Sequence, residues 1–429
     1  LKRKLAFVFP GSGSQYAGMA RGQYNESLVI RRTFEEADQY LGYRISSVIL
    51  EGSTVKLNKI SNMLLAIYVV SVAYFRRYIE EYNIIPDYMA GHSLGEYSAL
   101  TCSGSISFEN CLKIVKLRSQ LAEEVMKSTG GSMTIMKNIS PQVVEELCSY
   151  AREEGHTVSV ACYNSPTQVS ISGNDEALKI VEKRAMEARD NVQVINLIGS
   201  APYHCVLMQS CARILENELR KYEWKEGKCK VISNVTGLPY ESPSEIPEAL
   251  TKQLYQPVLW DKSIEYLIKN DVCTIVEMGP QNVLKNLIQE SKAGVKVYAF
   301  DEQFDRECLQ NALKTVDRSD SAKEKKLKAI TMCIAHASSL KNCNSSLDYD
   351  ITRIRALYDE VRNIKNQIES GTTEAQDEHV EKAFYMLQRM FEAKATPIEE
   401  RQNRIKLILD KTGVDGLFNK ILRNEYNYE

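Results

Sequence analysis

The chain has 429 residues, 44% of them apolar and 26% charged, with 54 Lys plus Arg against 56 Asp plus Glu and a formal net charge of -2. At roughly 100 to 200 residues per domain, that length suggests two to four domains with a sizeable core. The balanced charge leaves no polyanion footprint, so nucleic acid is not an expected partner, and the composition is not that of a disordered chain or a disulfide-stapled miniprotein.

Lys2-Arg3-Lys4 followed by Leu5 to Phe9 imitates the opening of a signal peptide. The apolar run breaks at Pro10-Gly11 and no small-residue cleavage site follows, so it reads as a first core strand. The chain starts at Leu1 rather than Met, as expected of one piece of a longer polypeptide. Met63 to Phe75, the longest nearly apolar stretch, spans 13 residues and contains Ser71. That is short of the roughly 20 residues that cross a membrane, so a buried helix and no membrane partner are expected.

Short β-rich runs at Tyr88 to Ala90, Cys229 to Ser233, Thr274 to Glu277 and Val295 to Phe300 alternate with helical patterns. That alternation predicts an α/β fold around a largely parallel sheet. Residues 131 to 199 form a block of their own: strand Ser132 to Met136, helix Pro141 to Glu153, strands Thr157 to Tyr163 and Gln168 to Ser172, helix Asp175 to Arg189, strand Gln193 to Ile198. The order βαββαβ is that of a ferredoxin-like unit, here inserted into the larger sheet domain.

Residues 1 to 300 hold 18 of the 21 glycines and 10 of the 11 prolines, while 44 of the last 129 residues are charged. A boundary near 300 and a Gly-poor helical tail follow. In the tail Ile351, Ile354, Leu357, Val361, Ile364 and Ile368, then Val380, Phe384, Leu387 and Phe391, recur at spacings of three and four. Thr396-Pro397-Ile398-Glu399 offers a capping box with Pro at the first helical position of a third helix. A small helical bundle is the plain reading, and a partner-binding coiled coil is the other. The expected layout is thus a catalytic domain from 1–130 and 200–300, an inserted subdomain at 131–199, and a helical extension of unassigned role at 301–429.

The eleven cysteines are scattered without a C-x-x-C pair, so neither a zinc site nor a disulfide ladder is indicated, and a reduced, cytoplasmic setting is the simplest home.

Gly91-His92-Ser93-Leu94-Gly95 matches G-x-S-x-G between the strand at Tyr88 to Ala90 and a helical run from Glu96. Glycines permit the tight turn that exposes the serine hydroxyl, and the helix start aims free N–H groups at developing negative charge, as acyl transfer requires. Such a nucleophile needs a base, and the histidines are 92, 156, 204, 336 and 379. His92 adjoins the serine and would point elsewhere; His156 follows a helix end; His336 and His379 lie in the tail. His204, on a loop returning to the main sheet, is the candidate, set against a buried loop histidine bonded to backbone. Arg118 lies on the helical face carrying Cys111, Ile114, Leu121 and Val125, so its guanidinium must be paired. Two roles stay open there: a structural ion pair, or a fork for a substrate carboxylate. Pro10-Gly11-Ser12-Gly13-Ser14-Gln15 lacks the G-K-[ST] ending of a P-loop and the third glycine of G-x-G-x-x-G, but its backbone could supply an oxyanion donor.

Over roughly residues 5 to 300 the sequence resembles the malonyl-CoA:acyl carrier protein transacylase family, including the acyltransferases of polyketide synthases. The likeness rests on Phe9-Pro10-Gly11-x-Gly13-Ser14-Gln15, Gly91-His92-Ser93-Leu94-Gly95-Glu96, Arg118 25 positions after the serine, Asn164-Ser165-Pro166, His204, Gln253-Leu254-Tyr255-x-Pro257-Val258-x-Trp260 and Gly279-Pro280-x-x-Val283-Leu284. The resemblance implies an α/β-hydrolase-like sheet domain with an inserted ferredoxin-like subdomain. It implies ping-pong transfer of a malonyl group from malonyl-CoA through an ester on Ser93 to the phosphopantetheine thiol of an acyl carrier protein, with no metal or redox cofactor. It further implies His204 as base, oriented by the backbone carbonyl of Gln253, oxyanion donors in the backbone N–H groups of Ser12 and Leu94, and Arg118 on the malonyl carboxylate.

Three departures bear on the acyl pocket. Ser12 stands where the family usually has Gln, and Asn62, in Ser61-Asn62-Met63-Leu64-Leu65, stands where another Gln is usual. Tyr203 before the base is bulky, as in malonyl-type polyketide acyltransferases. Asn62, Asn164 and Tyr203 are therefore the expected pocket residues, and trans loading of polyketide carriers is the expected setting. The alternatives are an acyl hydrolase of the same fold that clears stalled carriers and a non-catalytic carrier-docking module.

Overall fold

The structure is a computed structural model that describes residues 4–197, 199–292, 294–317, 322–340 and 351–414. Nine strands are formed among the described residues: β1 Lys4–Phe9, β2 Tyr88–Gly91, β3 Gly131–Lys137, β4 Val158–Ser165, β5 Gln168–Asn174, β6 Gln193–Asn196, β7 Lys230–Ile232, β8 Val272–Glu277 and β9 Lys296–Ala299. One sheet runs β7-β2-β1-β8-β9, with every neighbouring pair parallel. β1 lies at its centre, which is why Leu5 to Phe9 is a continuous apolar run: both faces are covered. Helix Ile60–Tyr82 covers part of it, and Phe7 meets the edge of Tyr78 at 4.7 Å between ring centres. No helix among the described residues is long and apolar enough to cross a membrane.

Register decides where chemistry can happen. Phe9 stands beside Gly91, and Val8 beside Glu277. The carboxyl ends of β1, β2 and β8 therefore reach one edge together, where open parallel sheets bind ligands.

The second sheet is antiparallel in the order β4-β5-β3-β6, with helices Pro141–Glu153 and Asp175–Ala188 in the chain order βαββαβ. Met136, Val144, Cys148, Val160, Ile171 and Val181 form its own apolar core. Its last strand ends at Asn196, and Ile198, expected to close it, lies outside the described residues.

The chain divides into two compact units, residues 1–309 and 310–429. The first runs past the boundary near 300 that composition suggests. Asp301 accepts hydrogen bonds from the Tyr16 hydroxyl and the Gln281 N–H, both at 2.8 Å, and from the Tyr74 hydroxyl. Asp305 accepts from Ala299 N–H and Lys285 Nζ, both at 2.6 Å, and Leu309 is buried. Glycine and proline counts cannot see these anchors.

In the second unit, helices Ala322–Ser338, Ile351–Glu369, Asp377–Ala393 and Ile398–Thr412 bury Ala329, Cys333, Val361, Val380, Phe384, Leu387, Phe391 and Ile408 together. The apolar stripes thus meet one another, and the first of these helices is one the tail's stripes did not signal. The expected capping box at Thr396 does not form. Helix Ile398–Thr412 has no side-chain cap, the Thr396 hydroxyl is unpartnered, and its carbonyl takes Arg401 Nε at 2.6 Å instead.

All described cysteines are free, and Cys102, Cys111, Cys148, Cys162, Cys205, Cys211 and Cys333 are buried. Burial pushes the thiols of Cys111, Cys148 and Cys162 up to about 12.

Asp301→Ala leaves the buried Tyr74 hydroxyl without an acceptor, a loss of about 1 to 3 kcal/mol. Scanning calorimetry should record a melting temperature lower by on the order of 5 °C. An unchanged melt would show that the segment after 300 is not part of this unit.

Candidate active site

Gly91 to Gly95 turns the chain from β2 into helix Leu94–Ser103 so tightly that two of its positions exclude any side chain. A Cβ on Gly91 would lie 1.9 Å from the Gly95 carbonyl carbon, and one on Gly95 1.9 Å from the Phe9 carbonyl oxygen. Ser93, at the apex, has φ 54° and ψ -108°, a conformation that costs a residue with a Cβ about 1 to 3 kcal/mol. Hydrogen bonds on both sides hold it there. Its N–H donates to Asn234 Oδ1 and its carbonyl accepts from Gln253 Nε2, each at 2.8 Å.

His204 reaches Ser93 from the loop after β6. Its backbone N–H is fixed on the Leu254 carbonyl at 2.9 Å, and its ring Nδ1 on the Gln253 carbonyl at 2.6 Å. A carbonyl can only accept, so Nδ1 carries the proton, and Nε2 is left to accept from the Ser93 hydroxyl at 2.8 Å. Burial pushes the His204 ring down to about 3, and the Arg118 cation acts in the same direction. The imidazole is neutral, with its lone pair free at Nε2.

Arg118 projects from helix Phe108–Thr129 and is fully buried. Its Nη2 donates to Ser93 Oγ at 3.2 Å, and its guanidinium lies 4.3 Å from the Tyr203 ring centre and 5.6 Å from that of Tyr97. Among the described residues Nε and Nη1 have no hydrogen-bond partner, and neither do the hydroxyls of Tyr97 and Tyr203. Buried donors are rarely left idle. A planar guanidinium with unpaired N–H groups beside a serine hydroxyl fits a carboxylate. Burial pushes the Tyr203 hydroxyl up to about 12, so it remains a neutral donor.

The loop after β1 crosses this turn. A Cβ on Gly11 would meet the His92 carbonyl oxygen at 2.6 Å and the Leu94 nitrogen at 3.7 Å, which brings Gly11-Ser12 against the helix start. The loop is braced by Ser14 Oγ on the Gly11 carbonyl at 2.9 Å, by Gly13 N–H on Gln15 Oε1 at 2.9 Å, and by Gln281 Nε2 on the Ser14 carbonyl at 3.0 Å. Leu94 N–H belongs to the first helical turn, whose donors lack helical acceptors.

The structure shows the hydrogen bonds of both expected pocket asparagines. Asn164 spends Oδ1 on His92 Nε2 at 2.8 Å and Nδ2 on Ser170 Oγ at 3.3 Å. It steers His92 away from Ser93 and toward the Trp260 ring, 5.4 Å off. Asn62 donates to the Lys56 carbonyl at 2.8 Å, and none of its hydrogen bonds reaches Ser93, His204 or Arg118.

Sequence reasoning missed Asn234 and Tyr240 and gave Glu96, though part of the serine motif, no role. Glu96 is fully buried and accepts from Tyr240 Oη at 2.6 Å, Asn234 N–H at 3.1 Å and Gln253 Nε2 at 2.7 Å. Burial pushes its carboxyl up to about 7 against the pull of those bonds. The available signal was an acidic residue directly after G-x-S-x-G, in the first turn of the helix. Among the described residues no group of three or more His, Cys, Asp or Glu is arranged to hold a metal ion.

The acyl transferase domain family matches residues 6–338. This chain belongs to that family. A malonyl CoA-acyl carrier protein transacylase of Bacillus subtilis is 30% identical over 402 residues, covering 94% of this acyl transferase and 99% of the relative. Its namesake in Escherichia coli K12 is 36% identical over 299 residues, 70% of this chain and 96% of the relative. The crystal structure of FabD from Acinetobacter baumannii superimposes with a TM-score of 0.70 at 32% identity, covering 74% of this acyl transferase and all of that chain. A malonyl-transacylase solved in complex with a type II PKS acyl-carrier protein gives 0.69 at 32% identity, covering 72% and 99%. The match of 402 residues is longer than the first unit, so the likeness to the Bacillus subtilis relative extends into the second.

A His204 ring held near pKa 3 is deprotonated throughout the neutral range and gains a proton only in strong acid. In 1H–13C spectra of histidine-labelled protein, with the signal assigned by His204→Gln, the His204 resonance should stay fixed from pH 8 to pH 5. A midpoint near 6.5 would contradict this burial and charge environment.

Proposed function

We propose that this acyl transferase moves a malonyl group from malonyl-CoA to the phosphopantetheine thiol of an acyl carrier protein. The observation that carries the reading is Arg118, a fully buried cation with two idle nitrogens whose third donates to Ser93 Oγ at 3.2 Å. An acyl group ending in a carboxylate would satisfy that fork while its thioester carbon meets the serine. A hydrolase of varied acyl chains has no use for a buried cation there.

In the first half-reaction Ser93 Oγ attacks the thioester carbon and its proton passes to His204 Nε2. The Gln253 carbonyl stabilises the imidazolium at Nδ1, in the position a carboxylate takes in a Ser-His-Asp triad. Negative charge on the carbonyl oxygen falls to the N–H groups of Leu94 and Ser12. The intermediate then collapses, the C–S bond breaks, and the CoA sulfur takes the proton from His204. In the second half the pantetheine thiol yields its proton to His204 and attacks the ester carbon; the C–Oγ bond breaks and the proton returns to Ser93. Arg118 also tunes the base. Its charge lowers His204, so a bound carboxylate that neutralises it makes the imidazole more basic once the proper substrate is seated.

Tyr203, whose ring lies under the guanidinium, keeps Arg118 directed at the acyl pocket. The length of the chain supports service to polyketide rather than fatty-acid carriers, since the Escherichia coli relative matches over 96% of its own length but over 70% of this chain, leaving 30% unmatched. Malonyl-CoA as donor implies the cytoplasm.

Intact mass after mixing with malonyl-CoA should gain one malonyl unit, lost in Ser93→Ala; label on a cysteine would overturn the mechanism. Arg118→Ala should lower malonyl-CoA turnover by about 30-fold or more while sparing acetyl-CoA. Equal losses for both thioesters would make the arginine structural.

A further inference from the structure

We propose that Glu96 is the positioning residue that fixes Ser93 and His204 relative to each other. This rests on the acyl-transfer reading for the roles of those two residues, but it is argued from a separate set of bonds. Ser93 is held at its N–H by Asn234 Oδ1 and at its carbonyl by Gln253 Nε2. His204 is held at Nδ1 by the carbonyl of that same Gln253. Asn234 and Gln253 come from different parts of the chain, one just after β7 and the other at the end of helix Ile246–Gln253. Both converge on Glu96, which takes Asn234 N–H on Oε1 and Gln253 Nε2 on Oε2.

One carboxylate therefore ties the support of the nucleophile to the support of the base. Asn234 Nδ2 also donates to the Gly91 carbonyl at 2.6 Å, so the turn is gripped on its entering strand as well. Every group bonded to Glu96 is a donor, and Tyr240 Oη completes Oε1. An ionised carboxylate accepts from all three, whereas an amide in its place would set an NH2 group against a donor. Glu96 touches no reacting atom. It acts through Asn234 and Gln253, and its position three residues after Ser93 in the first turn of helix Leu94–Ser103 lets it reach both.

The test compares Glu96→Gln with the unmodified chain in two reactions: malonylation of Ser93 by malonyl-CoA, and labelling of Ser93 by a fluorophosphonate. The second reports serine reactivity whatever the natural acyl donor, so an unmodified chain that labels but does not malonylate would refute the transfer reading and leave this proposal to be judged on labelling. Glu96→Gln should melt cooperatively and slow both reactions at saturation by about 10- to 100-fold, with the KM for malonyl-CoA unchanged. Glu277→Gln is the control for a merely structural carboxylate. Glu277 is equally buried, but among the described residues it accepts only from Leu284 N–H and Lys285 N–H at 3.0 and 2.8 Å, so that variant should lose melting temperature without slowing the folded fraction. Glu96→Gln that labels at the unmodified rate, loses activity only as folded protein is lost, or changes KM alone would overturn the proposal. If Glu96→Gln does not fold, Tyr240→Phe removes one donor and keeps the ring. It should slow labelling about 3- to 10-fold, and a folded Tyr240→Phe of full reactivity would overturn the proposal too.

Discussion

The Phe9 carbonyl and the start of helix Leu94–Ser103 approach so closely that no side chain fits at position 95. That backbone contact follows from the parallel pairing of β1 with β2, which sets Phe9 beside Gly91 and sends two loops over the same edge of the sheet. One loop carries Ser12, the other Ser93. With the two backbones locked together, the distance between nucleophile and loop N–H is a property of the sheet and not of any mobile side chain. The strained conformation of Ser93 is tolerated for the same reason: its peptide groups are bonded on both sides before any substrate arrives.

Around that turn the protein gathers groups whose charges would be costly if left unbalanced. Arg118, His204 and Glu96 are all nearly or wholly buried. Each is managed differently. Glu96 is surrounded by donors, His204 is kept neutral by burial and by its cationic neighbour, and Arg118 rests on two aromatic rings with donors to spare. Of the three, the charge with unpaired donors is the one that faces the serine.

How much of this is legible in the sequence depends on whether a residue's job is local. G-x-S-x-G announces its turn because the glycines are demanded by contacts a few residues apart, and Arg118 announces its burial because a cation on an apolar helical face has nowhere else to go. The alternation of β-rich and helical runs gives the sheet, and the spacing in the tail gives the stripes that meet in the second unit. What stays hidden is set by tertiary partners. The bonds of Asn164 to His92 and Ser170 exist only once the fold brings the three together. Glu96 looks like an acidic residue favouring a helix start until Asn234 and Gln253, more than a hundred positions away, close over it. The extent of the first unit is hidden likewise, because Asp301 is an anchor only once Tyr16, Tyr74 and Gln281 surround it.

The burial of the cysteines has a consequence for a protein that handles thioesters. Any thiolate near an activated acyl group competes with the intended acceptor, and a thioester formed on the protein itself would strand the cargo. Cys205 directly follows the base, and Cys102 and Cys111 lie on the two helices that carry the serine turn and Arg118. All three are shut away from solvent, and burial holds the thiols of Cys102 and Cys111 protonated. A protonated, enclosed sulfur is a poor nucleophile. The fold thereby separates two chemistries that share one active group: sulfur nucleophiles are admitted only as incoming or departing carriers, and the resting cargo stays on oxygen.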